Sequence, residues 1–137
     1  MNKLSGYAVY EIAGEKIPFK FGVNAYALFC EHRKIGLEDI GKTGLYGEYD
    51  DKGNLTKDPD VKAITELSYF AYVTACKMEG KEVGINLLAF SEMISDERDV
   101  LIKLFELNLE AKLMGRTLQE IAQDESKKKS LQSGVTS

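Results

Sequence analysis

The stretch Asp96–Gly115, DERDVLIKLFELNLEAKLMG, decides how this chain is read. Val100, Leu104, Leu107, Ala111 and Met114 recur at helical spacing and seat one side of a helix on a core. Leu101 and Phe105 widen that stripe, while Ile102, Leu109 and Leu113 carry apolar surface to the far side. Lys103, Glu106 and Glu110 form the only charged strip. A helix apolar nearly all round is either buried on every side or turns a second face to a partner. In a chain of 137 residues the second reading is the stronger lead to function.

Working outward, Ser95 is the expected N-cap of this helix and Gly115 its stop, with Asp96 and Glu97 favouring the N-terminal dipole. Before it, Ile85–Ile94 reads as a short helix with Leu87, Leu88, Phe90, Met93 and Ile94 as buried candidates. Asp58-Pro59 supplies a cap and a first-turn proline for a helix running to about Glu79 and stopping at Gly80. Val61, Ile64, Leu67, Ala71, Ala75 and Met78 form its core stripe. Tyr69, Phe70, Tyr72, Val73 and Cys76 lie partly off the stripe, so this helix also carries surplus apolar surface. After the long helix, Thr117-Leu118-Gln119-Glu120 is a capping box for a short helix to about Gln123.

The N-terminal third differs. YAVYEI and KIPFKF, separated by Ala13-Gly14-Glu15, predict a β-hairpin over Tyr7–Phe21. Ile17, Phe19 and Phe21 alternate with Pro18 and Lys20, and Pro18 puts its strand on an edge or beside a bulge. Asn24 is the expected cap of a helix over Ala25–Lys34 with Ala25, Leu28, Phe29 and His32 inward and Gly36 as its C′ stop. Leu37–Ile40 adds a helical turn. Gly41–Lys57 reads either as a hairpin between Leu45–Tyr49 and Asn54–Thr56 or as a mobile loop. The expected architecture is mainly α: a small helical bundle with an N-terminal β-hairpin, a single domain over 1–123 and a flexible tail over 124–137.

Composition bounds the function. The residues are 44% hydrophobic and 29% charged, with a net charge of −4, which is ordinary globular balance without the positive face a nucleic acid requires. No apolar run approaches the roughly 18–20 residues of a membrane span, and MNKLSGYAVYEIAGEK lacks a signal-peptide core. Cys30 and Cys76 read as buried thiols of a reducing cytosol.

Chemistry finds little to use. His32 is the single histidine, and Cys30, two residues away on a helix, points elsewhere. Asp50, Asp51, Asn54 and Asp58 miss calcium-loop spacing and read as turn residues. Gly36–Thr43, GLEDIGKT, matches the eight-residue phosphate-loop pattern, but a helix precedes it and Glu38 and Asp39 stand where phosphates would sit. No catalytic, cofactor or metal site is expected. Lys127-Lys128-Lys129 reads as a solvated tail segment.

YEIAGEKIPFKFGVNAYALFCEHRKIGLEDI resembles the N-terminal part of siphophage tail assembly chaperones. The likeness lies in a strand ending in Phe-Gly (Ile17–Gly22), a helix (Asn24–Lys34) and a Gly-Leu-x-x-Ile turn (Gly36–Ile40), and extends over roughly residues 7–122 in layout. The resemblance implies a non-catalytic protein of the host cytoplasm that coats the tape measure protein, and contacts tail tube subunits, before the tube polymerises. It also implies two translated forms, the longer made by frameshifting, for which codons of the lysine run would supply a slippery heptamer. Eight residues follow those lysines in the present frame. The partner-binding residues expected from the surplus surfaces are Tyr69, Phe70, Tyr72, Val73, Ile102, Leu109 and Leu113, and the same surfaces would serve self-association. The competing reading is a homo-oligomeric structural or adaptor protein, such as a head–tail connector component.

Overall fold

Alternating side chains build the first element. In the computed structural model, which describes residues 5–113 and 116–117, strands β1 (Tyr7–Ile12) and β2 (Glu15–Lys20) pair antiparallel. Ala13 and Gly14 take φ of 52° and 81°, the two positive angles of a primed two-residue turn whose twist matches the strands. The turn is one residue shorter than expected, because Glu15 pairs with Ile12. Ala8, Ile12, Ile17, Phe19 and Phe21 are buried, while Val9, Glu11 and Lys16 on the opposite face are exposed.

Helix α1 (Val23–Arg33) follows, then a 3-10 helix over Leu37–Thr43. Gly22 occupies the cap position of α1, so Asn24 lies inside the helix and does not cap it. Lys34, at φ 58° and ψ 46°, ends the helix two residues before the expected Gly36, and the Ile35 N–H closes back on the Cys30 carbonyl at 3.0 Å. The buried face is Ala25, Tyr26, Phe29 and Cys30: Ala25 and Phe29 turn inward as expected, whereas His32 is exposed and Leu28 half-buried. Apolar residues lie nearly all round this helix, and Tyr26 turns inward because its hydroxyl reaches a buried acceptor on a distant helix.

The 41–57 connection is a hairpin, β3 (Glu48–Tyr49) against β4 (Leu55–Lys57). Asp50 organises its turn: the carboxylate accepts the Lys52 and Asn54 N–H groups, each at 2.9 Å. Leu45, ahead of the hairpin, is fully buried.

Helix α2 (Val61–Met78) starts two residues later than expected, because the Asp60 carboxylate takes the Lys62 and Ala63 N–H groups at 2.8 and 3.2 Å. It packs against β2, α1, α3 and α4. Ile64, Leu67, Ala71 and Ala75 of the expected stripe are buried, joined by Ala63, Thr65, Glu66, Ser68, Tyr72, Thr74 and Cys76, whereas the end residues Val61 and Met78 are exposed. This helix is the central post, buried on nearly all sides.

Helix α3 (Leu87–Ser95) is capped by the Asn86 side chain, which accepts the Ala89 N–H at 2.8 Å. Phe90 and Ile94 are buried; Leu87 and Met93 are half-buried, and Leu88 faces solvent. Ser95 closes α3 and does not cap the next helix, since its hydroxyl bonds back to the Glu92 carbonyl. Helix α4 (Arg98–Glu110) begins at Glu97 without a side-chain cap. Val100, Leu104, Leu107 and Ala111 are buried as expected, but α4 ends at Glu110, well before Gly115. Ala111 turns extended, at φ −65° and ψ 140°, to meet Gly6: a Cβ there would sit 2.9 Å from the Ala111 methyl and 2.6 Å from the Phe21 carbonyl oxygen. Tertiary contact thus overrides a run of good helix formers. Lys112–Leu113 (β5) then pairs with Arg116–Thr117 (β6). Met114, Gly115, the short helix expected to about Gln123 and the tail lie outside the described residues.

The fold is mainly α with an N-terminal antiparallel hairpin. One buried cluster joins both strands of that hairpin to all four α-helices. Among the described residues no helix is long and apolar enough to cross a membrane.

Candidate functional site

The seven expected contact residues divide sharply. Tyr72 is only 5% exposed. Its ring stacks on Phe90 at 6.4 Å, and its hydroxyl accepts the Gly84 N–H at 3.1 Å. Tyr69 lies 5.7 Å from Phe90 and donates its hydroxyl to the Ile85 carbonyl at 2.9 Å. Both tyrosines therefore hold the 79–86 connection and α3 against α2. Burial pushes both phenols up, so they remain neutral donors and acceptors. Phe70, 5.5 Å from Tyr69, and Val73 are half-buried against the core. Of the four α2 residues expected at a partner, Tyr72 is instead buried in the fold, and Tyr69, Phe70 and Val73 are half-buried against the core.

Helix α4 differs. Ile102 is 47% exposed and borders a depression of about 320 Å³ with Asp99, Lys103 and Glu106. Leu109, seven residues on, shares that side of the helix and is half-buried. Leu113 does not extend the row, because the helix has ended and Leu113 stands in β5. Leu101 and Phe105 close down on the core. On α3, which packs beside α4, Phe90 and Ile94 face inward and Leu88 is 74% exposed. Sequence reasoning assigned Leu88 to the core. Two residues before Phe90 on a helix, it falls on the side opposite that buried ring.

Other clusters are committed to structure. Arg33 grips Glu66 with Nε at 2.8 Å and Nη2 at 2.7 Å from one carboxylate oxygen, and His32 Nε2 lies 3.6 Å from the other. The Arg33 guanidinium stands over the Phe29 ring at 5.2 Å and His32 lies against Phe70 at 5.3 Å. This pairing ties α1 to α2 over the buried Glu66. Burial, then the charges of Glu38 and Asp39, push the Cys30 thiol up, away from a nucleophilic thiolate. In the Gly36–Thr43 segment, Lys42 pairs with Asp39 at 3.1 Å and the Thr43 hydroxyl donates to the Ile40 carbonyl at 2.6 Å. The segment is a 3-10 helix entered from a helix, not the strand–loop–helix that cradles phosphate. Asp50 is held below the usual carboxylate range by hydrogen bonds, first from the Asn54 backbone and then from that of Lys52, which is turn chemistry. Among the described residues no group of three His, Cys, Asp or Glu side chains is gathered to hold a metal.

No protein-family model matches this chain, and searches of curated proteins and of solved structures found no match either.

Proposed function

We propose that this is a non-catalytic protein-binding protein of the siphophage tail assembly chaperone type. In this reading it covers apolar helical segments of the tape measure protein in the host cytoplasm and contacts tail tube subunits until the tube polymerises. The observation that carries the reading is the outward placement of Leu88 and Ile102 on the adjacent helices α3 and α4. Asp99, Lys103 and Glu106 border Ile102 with charges of both signs, the polar rim of a protein contact.

Burying each of these two side chains contributes about 1.5–3 kcal/mol. Association costs roughly 4–15 kcal/mol in lost freedom, so one such site binds weakly. A long client presenting many similar helical segments compensates through avidity, while single copies still leave easily when the tube displaces them.

The test is co-expression with the proposed client, a siphophage tape measure protein. Wild-type protein is expected to keep that client soluble and to co-purify with it. Leu88→Glu combined with Ile102→Glu is expected to fold, with unchanged circular dichroism, and to lose at least 90% of the co-purified client (about 1.4 kcal/mol). Undiminished capture by the folded double variant would overturn the assignment of this surface.

A further inference from the structure

The two edges of the N-terminal hairpin differ in a way the fold does not require. The Phe21 N–H bonds the Gly6 carbonyl at 2.9 Å, and pairing then alternates. Ala8/Phe19, Tyr10/Ile17 and Ile12/Glu15 are therefore the hydrogen-bonded pairs, and Tyr7/Lys20, Val9/Pro18 and Glu11/Lys16 are not. The second set directs its backbone groups outward. On β2 the outward positions are Lys16, Pro18 and Lys20: two cations and a residue with no N–H, which is how natural sheets block an edge. On β1 they are Tyr7, Val9 and Glu11, each with a backbone donor and acceptor directed outward. Among the described residues no hydrogen bond reaches those backbone groups. Val9, at the centre, is 48% exposed.

We propose that the β1 edge pairs with β1 of a second copy of this chain, antiparallel about a two-fold axis at Val9, giving a continuous four-stranded sheet. The sequence of β1 is self-complementary in that register. Val9 faces Val9 of the second copy and Tyr7 faces its Glu11, so no like charges oppose one another across the seam. On the inner face small Ala8 lies opposite the larger ring of Tyr10. The three outward residues of each strand exchange roughly six hydrogen bonds. The alternatives are closed by chemistry. Pairing β2 with itself about Pro18 sets Lys16 against Lys20, and pairing β1 with β2 in an open array meets the missing N–H of Pro18. The edge therefore selects a closed pair over a fibre. Six-residue strands bury less than the roughly 800 Å² per partner of a standard interface, so the pair is weak and concentration-dependent. This inference stands independently of the chaperone reading.

Sedimentation of the full chain from micromolar to millimolar concentration tests it. The mass is expected to rise from 15.3 kDa toward twice that value. Val9→Lys and Val9→Glu place like charges on the two-fold axis, and each is expected to remain monomeric with unchanged circular dichroism. Mixed together, they are expected to form a heterodimer at least tenfold tighter than either homodimer. Should the charged variants fail to fold, Val9→Pro removes the outward N–H without touching a hairpin hydrogen bond and is expected to be monomeric. A wild-type chain that stays monomeric throughout, variants that dimerise like wild type, or a mixture that gives no heterodimer would each overturn the proposal.

Discussion

Phe90→Ala is expected to cost about 3–5 kcal/mol of folding stability and to lower the melting temperature by roughly 10–20 °C. Phe90 is fully buried and is the ring at which three elements meet. It stands 6.1 Å from Phe19 of β2, edge-on, 5.7 Å from Tyr69 and 6.4 Å from Tyr72 of α2. Removing it takes away the largest fully buried side chain of α3 and opens a cavity that Phe19, held in the hairpin, cannot fill. The two tyrosine hydroxyls that hold the 79–86 connection lose their backing at the same time. Against a total stability of order 5–15 kcal/mol for a domain, this is a large fraction. Leu88→Ala, two residues away on the exposed side, is expected to change stability by no more than about 0.5 kcal/mol. Thermal and urea unfolding of the pair checks both values. A loss under about 1 kcal/mol for Phe90→Ala would mean that α3 is not seated as described.

The second large effect is a coupling. The Tyr26 hydroxyl donates to Asn108 Oδ1 at 2.6 Å and accepts from the Tyr46 hydroxyl at 3.2 Å, joining α1, α4 and the segment before β3. Tyr26 is fully buried and Asn108 is 1% exposed. Burial, then Tyr46, pushes the Tyr26 phenol well above its ordinary range, so it acts as a neutral donor. Asn108→Leu strips that donor of its acceptor, and Tyr26→Phe leaves the Asn108 amide without the hydroxyl. Each is expected to cost about 1–3 kcal/mol, the penalty of a buried group left unpaired. The double variant removes both polar groups and is expected to cost less than the sum, with a coupling of about 1–2 kcal/mol by a double-mutant cycle. Additive single effects would mean that the bond contributes no specificity between α1 and α4.

These two sites also mark what sequence makes legible. The hairpin was readable because alternation and the Ala13-Gly14-Glu15 break point to the same turn, although Glu15 itself joins the strand, and Pro18 fits its strand only at an outward position. The inward stripe of α4 was readable because Val100, Leu104, Leu107 and Ala111 repeat at one period. The face of α1 was not, because the partner that draws Tyr26 inward lies 82 residues away. Nor did an apolar count find Asn108, a polar residue whose value depends on that partner. The end of α4 was hidden by the helix propensity of Ala111, Lys112 and Leu113, which yields to the contact of Ala111 with Gly6. Leu45 was obscured by the glycines around it, yet it is fully buried.

The candidate surface shows the same division. Periodicity detects excess apolar residues on α2 and α4 but cannot say which helix stands at the centre. Contacts with β2, α1, α3 and α4 make α2 the central one, so Tyr69 and Tyr72 serve the interior. The exposure of Ile102 was legible from its side of α4. Leu88 was missed because one position of helical phase separates the half-buried Leu87 from the exposed Leu88 on a nine-residue helix.

Amide hydrogen exchange of the purified chain, alone and with the proposed client, the tape measure protein, tests the proposed reading most directly. Binding at the outer face of α3 and α4 predicts slower exchange at Leu87–Ser95 and Arg98–Glu110, with the α2 amides unchanged. Protection confined to other elements, or none at any client concentration, would contradict it.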